Sequence, residues 1–399
     1  RAVSGLAARR RDLRVLAVQE VARRPAAHAA TAALVTLATT AAVVVAGILG
    51  TWSDLSATRS AVHNGADLRV VTAARAAPDA RAAAAGLADT VVDADVRTAS
   101  CGTVTGTLVA VPERAWELLH WSPADQDSRP LPGAGWSQTP DGRLPVVVTG
   151  PLARALSLNP GDRTSLVVPG ATVPVQVAAV VSAVPGSDEP RALLVDLDAW
   201  TAAQRATGAD PLPPREVWAW GGLASSPRAS AELSASLDRL DVGAEVTTSR
   251  PGPAPLLEPA LTAFRLATWA TVALAAGGVL AAARAAARGR RAEVGALRGL
   301  GVAGWTQAAL RIGEQARVIA PALAGGVLAG FGLTSLVASP LVRALDDGTV
   351  ALPVALRLDA AALTSWLSVL LVALAAVVGS VAHDTSRRAR TASPREAVR

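Results

Sequence analysis

A chain of 399 residues can hold two or three compact units; this one is 51% apolar, only 3% aromatic, carries a net charge of +6, and has no Met or Tyr. It has no Lys either, so all 38 basic residues are Arg, which excludes a Lys-bearing phosphate loop, ATP hydrolysis by that route, and Schiff-base chemistry. Cys101 is the single cysteine and the four histidines (His28, His63, His120, His383) are scattered, so neither an intrachain disulfide nor a metal site is predicted.

In chain order, residues 1–28 form an Arg-rich amphipathic lead-in with seven Arg and two acids. Four uncharged runs then meet or approach the roughly 20-residue length a bilayer requires. They lie at 29–52, 266–283 (extended outward to a span of 260–283 in which Arg265 snorkels near the end), 318–342 and 360–382. Four such runs in one chain are too many for buried core helices of a soluble protein. The first run is too long for a signal peptide, and Trp52-Ser53-Asp54 is no small-residue cleavage site.

The charges fix the expected orientation. Residues 284–317 hold seven Arg against Glu293 and Glu314, and the tail at 383–399 holds five Arg against two acids. Residues 53–259 hold 16 Arg and 23 acids. Short Arg-rich segments stay in the cytoplasm, so both termini and the 284–317 loop are predicted inside the plasma membrane, and 53–259 outside. The net positive charge is therefore a topology signature, with no nucleic-acid partner predicted. The span interiors carry no ionisable residue, hence no proton relay. Gly326 and Gly330 form a small-xxx-small pair that lets another helix approach closely.

The outer region reads as an α+β domain. Strand, helix and strand are predicted at 66–71, 78–88 and 90–98, and again at 215–220, 227–240 and 244–248. Two such units flanking an insertion suggest a split, ferredoxin-like subdomain. The insertion, about 102–200, is predicted β-rich, with strands at 103–111, 144–148 and 172–181, the last placing Val173, Val175 and Val177 on one face. Asn159-Pro-Gly-Asp162 reads as a turn, and the Pro- and Gly-rich stretch 122–143 as a loop. No catalytic constellation is visible. Asp188-Glu189 reads as solvated loop, and of the pair Asp196 and Asp198 the second reads as a helix N-cap.

In the cytoplasmic loop, Val294, Leu297 and Leu300 fall at helical spacing with Arg291, Glu293 and Arg298 on other faces, and Gly299 and Gly301 end the helix. A second helix at 305–317 leads back to the membrane. Such a short amphipathic helix can lie on anionic membrane lipid or dock into a groove on a cytoplasmic partner. A last short outer loop spans 343–359.

The segment Arg291-Ala-Glu-Val-Gly-Ala-Leu-Arg-Gly-Leu-Gly301, with Glu314 following, resembles the loop of FtsX-like (MacB-type) ABC-transporter permeases. Gln19–Pro25, Gly65–Val70 and the closing Ser393-Pro-Arg-Glu-Ala-Val-Arg399 are similar to further stretches of that family, so the resemblance runs along nearly the whole chain. Gly299 stands where the family usually has Ala. The resemblance implies a one-plus-three arrangement of spans about the outer domain. It also implies a separate cytoplasmic ABC ATPase that binds ATP and Mg, this chain holding no cofactor. Val294, Leu297 and Leu300 would be the apolar contacts of that ATPase, and Glu293, Arg298, Gly301 and Glu314 would shape or tie the loop. The expected function is mechanical transmission for export or extraction of lipids, lipoproteins, peptides or drugs, without catalysis in this chain. The alternative is a scaffold of the same fold that activates a cell-wall hydrolase. A second permease copy is implied too, as a homodimer or an internal pseudo-dimer. The missing initial Met fits the second half of a duplicated actinobacterial-type permease.

Overall fold

The computed structural model describes residues 25–127, 142–224, 226–251, 258–289, 303–346, 349–350 and 352–391. They fall into two compact units. One comprises the described residues up to Trp52, within Ala254–Ala344, and from Leu356 onward; the other comprises those within Ser53–Pro253 and Leu345–Ala355.

The first unit is helical. Helix α1 spans Pro25–Asn64, its residues from Ser53 onward belonging to the second unit. After the intervening domain come α6 (Glu258–Gly289), α7 (Gly304–Leu345) and α8 (Ala360–Thr391). All four are long and apolar enough to cross a membrane. The separate helix expected at 305–317 and the run 318–342 are one continuous helix, α7, which passes through Pro321 and Pro340. Between Gly304 and Pro321 only Gly313 weakens the helix, a single glycine costing about 1 kcal/mol against alanine, and proline is tolerated in helices whose neighbours satisfy the freed backbone groups.

Contacts fix the helix directions within this unit. Val35 and Ala38 of α1 pack with Val272, Ala275 and Val279 of α6 and with Leu370, Leu374 and Val377 of α8. Further along α1, Ala42, Ala46 and Leu49 meet Trp366, with Leu261 and Leu363 beside them. Asp359 N–H donates to Ala46 O at 2.9 Å, and Thr51 exchanges two 3.2 Å hydrogen bonds with the Arg357 backbone. Residue numbers on α6 and α8 thus fall as those on α1 rise. Both run antiparallel to α1, whereas α7 runs parallel to it.

The second unit is β-rich. Strands β1 (Leu68–Thr72), β2 (Thr90–Cys101), β8 (Glu216–Trp220) and β9 (Ala244–Thr248) form an antiparallel sheet in the order β2-β8-β1-β9. Its helices are α2 (Ala77–Ala85) and α5 (Pro227–Arg239), whose Ala80, Ala84, Leu233 and Leu237 pack with Leu68, Val70, Val217 and Ala219. This strand order is that of a ferredoxin-like βαββαβ unit.

The sequence predicts a β-rich insertion with three strands; what folds is a closed barrel of six. Strands β3 (Val104–Val111), β4 (Leu144–Thr149), β5 (Arg163–Val168), β6 (Ala171–Val181) and β7 (Ala192–Asp196) follow the order β3-β7-β4-β6-β5-β2, and β2 pairs back to β3. The long β2 closes the ring: Thr90–Ala94 pair with β8, while Asp95–Cys101 pair with β3. Six strands leave room only for side chains. Val146, Val148, Val173, Val175, Leu166 and Leu193 are buried in one cluster with Leu152 of α3 (Gly150–Leu156) and Trp200 of α4 (Leu197–Ala206). Val173, Val175 and Val177 share the buried face, as the period-two pattern predicts.

Candidate functional site

Of the loop residues singled out in the sequence, Glu293, Val294, Leu297, Arg298, Leu300 and Gly301 lie outside the described residues. So does most of the expected loop at 122–143. Glu314 is described. It sits on α7 three turns after Gly304 and is only 5% exposed. Its Oε2 accepts a 3.0 Å hydrogen bond from Arg311 Nη1, one turn earlier. Its Oε1 lies 3.1 Å from His28 Nε2, an ion-pair distance without hydrogen-bond angles. His28 is 7% exposed in the first turn of α1. The pair ties α1 to α7 at the end of α7 that follows the loop.

From there the α1–α7 contact continues as a seam of small and hydroxyl side chains. Thr36 Oγ1 donates to Ala322 O and Thr40 Oγ1 to Gly326 O, each at 3.2 Å and each 286 residues apart. That offset also separates His28 from Glu314, so the two helices keep one parallel register over several turns. Gly326 and Gly330 sit in this seam. A Cβ on Gly326 would lie 2.7 Å from Thr39 Cβ, and one on Gly330 would lie 2.6 Å from Val43 Cβ. Reciprocally, a Cβ on Gly47 of α1 would lie 2.1 Å from Thr334 Cγ2. Backbones this close bring their carbonyls within reach of threonine hydroxyls, which an apolar interior otherwise leaves unmet.

In the second unit, the last turns of α1 are held by polar contacts. Asn64 Nδ2 donates to Ala66 O at 2.7 Å, and Thr247 Oγ1 donates to Asn64 Oδ1 at 2.7 Å. Gly186 N donates to Val62 O at 2.8 Å. Arg69 of β1 gathers four acceptors: both Glu216 carboxylate oxygens at 2.8 Å, Gly186 O at 3.0 Å and His63 O at 3.2 Å. Its guanidinium also stacks 5.5 Å over the Trp218 ring, whose Nε1 donates to Glu216 at 2.7 Å. Gly65, at φ +75°, turns the chain from α1 into β1 against that same ring, where a Cβ would lie 2.6 Å from Trp218. Arg59, one turn before His63, donates to Asp346 Oδ2 at 2.6 Å and to Val350 O at 3.3 Å. It borders a cavity of about 410 Å³ that Ser60, His63, Asp188 and Thr349 also line.

The buried carboxylates of the barrel cap and brace. Asp196, not the expected Asp198, is the N-cap of α4: β7 runs through Asp196 and the helix begins at Leu197. Its oxygens accept from Ala199 N at 2.8 Å and Glu113 N at 2.7 Å. Burial nevertheless raises its carboxyl above the usual range. Asp95, 1% exposed and paired with Arg97, is likewise raised by burial, against the lowering pull of Arg97 and Arg215. Burial pushes the Cys101 thiol up, against a hydrogen bond with Thr164. Among the described residues, no three His, Cys, Asp or Glu gather as metal ligands. No protein-family model matches the chain, and no curated protein matches it.

His28, Thr36, Thr40 and Arg69 are the site residues the sequence reading missed. His28 was visible as an isolated histidine beside the first apolar run. Nothing in a linear sequence, however, aligns it with a glutamate 286 residues on.

Proposed function

We propose that the chain is the permease subunit of an FtsX-like, MacB-type ABC transporter, lying in the plasma membrane with both termini inside and the β-rich unit outside. A separate cytoplasmic ATPase docks on the loop between α6 and α7 through Val294, Leu297 and Leu300. Its ATP-driven cycle displaces α7, and the displacement serves export or extraction of a lipid, lipoprotein, peptide or drug. The observation that carries this reading is the buried His28–Glu314 contact at the loop end of a parallel, glycine-lined α1–α7 seam. A push on the loop is thereby shared by α7 and α1, and α1 ends in the network of Asn64 and Arg69. Interdigitated helices move as packed bodies because their contacts are discrete rather than continuously deformable.

Co-purification of the full-length protein with the ATPase encoded beside it tests the reading. Wild type should retain the ATPase, while Leu297→Asp and Glu293→Arg should lose it with the membrane protein still folded. Failure of wild type to bind any ABC ATPase contradicts the proposal.

A further inference from the structure

Helices α7 and α8 do not close on each other as α7 and α1 do. Between them lies an open groove of about 380 Å³, lined by Ile312, Ala316 and Ile319 of α7 and Leu371, Leu374 and Gly379 of α8. Its lining is aliphatic throughout, with Ala316 and Gly379 its smallest residues on the two helices named above. Three turns of a helix about 10 Å across need on the order of 1,200 Å³, so another helix does not fit. Its lining offers water few hydrogen-bond partners. An extended hydrocarbon chain matches both the volume and the lining. In a bilayer it is also the neighbour that the open side of such a groove meets. The helical turns flanking the groove carry Arg311, Arg317 and Arg387 against Glu314 and Asp384, three positive charges against two negative, and the one-charge basic surplus suits a phosphate headgroup.

We propose that this groove is a binding site for one acyl chain of a membrane phospholipid, seated between α7 and α8. The inference needs only that the four apolar helices lie in a bilayer, and it stands apart from the ATPase reading.

The test uses the full-length protein in phosphatidylglycerol–phosphatidylcholine nanodiscs doped with a phospholipid bearing a photoreactive diazirine in the headgroup-proximal half of its acyl chain. Adducts are mapped by peptide mass spectrometry. In wild type, adducts per residue over 312–319 and 371–379 should exceed those at the exposed lipid-facing Leu328 and Leu336 by about fivefold or more. The doubly filled variant Ala316→Leu/Gly379→Leu should lose that excess while labelling at Leu328 and Leu336 persists. Wild-type labelling of the groove no higher than at Leu328 and Leu336 overturns the proposal, as does an excess that survives filling. A protein–protein cross-link at the groove would give the place to a second copy and overturn it equally. The wild-type adduct map decides by itself should the filled variant fail to fold.

Discussion

Gly330 and Gly332 lie two residues apart on the same helix and face different surroundings. A Cβ on Gly330 would sit 2.6 Å from Val43 Cβ, 3.0 Å from Val43 Cγ1 and 3.1 Å from Thr40 O, whereas one on Gly332 meets nothing within 4 Å. Alanine at either position gains the same helix-propensity term of roughly 0.5–1 kcal/mol, so that term cancels in the comparison. What remains is the overpacking at Gly330, where β-branched Val43 and a backbone carbonyl have little freedom to yield. Overpacking of a tight core costs about 1–3 kcal/mol. Gly330→Ala should therefore be less stable than Gly332→Ala by about 1–3 kcal/mol, and Gly332→Ala should be neutral or slightly stabilised. Reversible unfolding of the purified protein in mixed micelles, followed by circular dichroism, reads the difference. Equal stabilities for the two variants would refute the close α1–α7 seam.

Asp196→Ala, which removes the cap of α4 and the acceptor for Glu113 N, should destabilise the β-rich unit by about 1–2 kcal/mol, while Asp198→Ala should change thermal stability little. Burial raises the Asp95 carboxyl, so the folded chain holds that proton more tightly than the unfolded chain does. The resulting stabilisation is full below about pH 4 and is lost as pH rises through the raised folded value; Asp95→Asn should remove this part of the pH slope in thermal melts run from pH 4 to 7. Replacing His28 by Ala removes a polar neighbour of buried Glu314 and should cost about 1 kcal/mol, whereas His28→Gln, which keeps a donor facing Glu314, should cost less in the same melts.

What the sequence made legible was local. The four apolar runs, the two strand–helix–strand stretches around 68–101 and 216–248, and the alternating strand through Val173, Val175 and Val177 all follow from patterns within a dozen or two residues. Barrel closure is not local. It depends on β2 being long enough to pair with β8 through Thr90–Ala94 and with β3 beyond Asp95. Strand β7 was missed because Ala192-Leu-Leu-Val-Asp196 is buried on both faces; it therefore shows no alternation and reads equally well as helix. The helix cap was misassigned by two residues for the same reason, since the end of an unrecognised strand gives no anchor for the start of α4. In the membrane-capable helices, Gly326 and Gly330 were singled out by spacing alone. Their partners on α1, Thr36, Thr39 and Val43, could be identified only once the parallel register was known.

In the proposed function, motion imposed on the α6–α7 loop reaches the end of α1 and the β-rich unit. Hydrogen exchange over residues 53–64 tests it most directly, on full-length protein co-reconstituted with its ATPase in nanodiscs, with and without ATP. ATP should change exchange there in wild type and leave Leu297→Asp unaltered. Active ATP hydrolysis by the wild-type complex with unchanged exchange over 53–64 would contradict it.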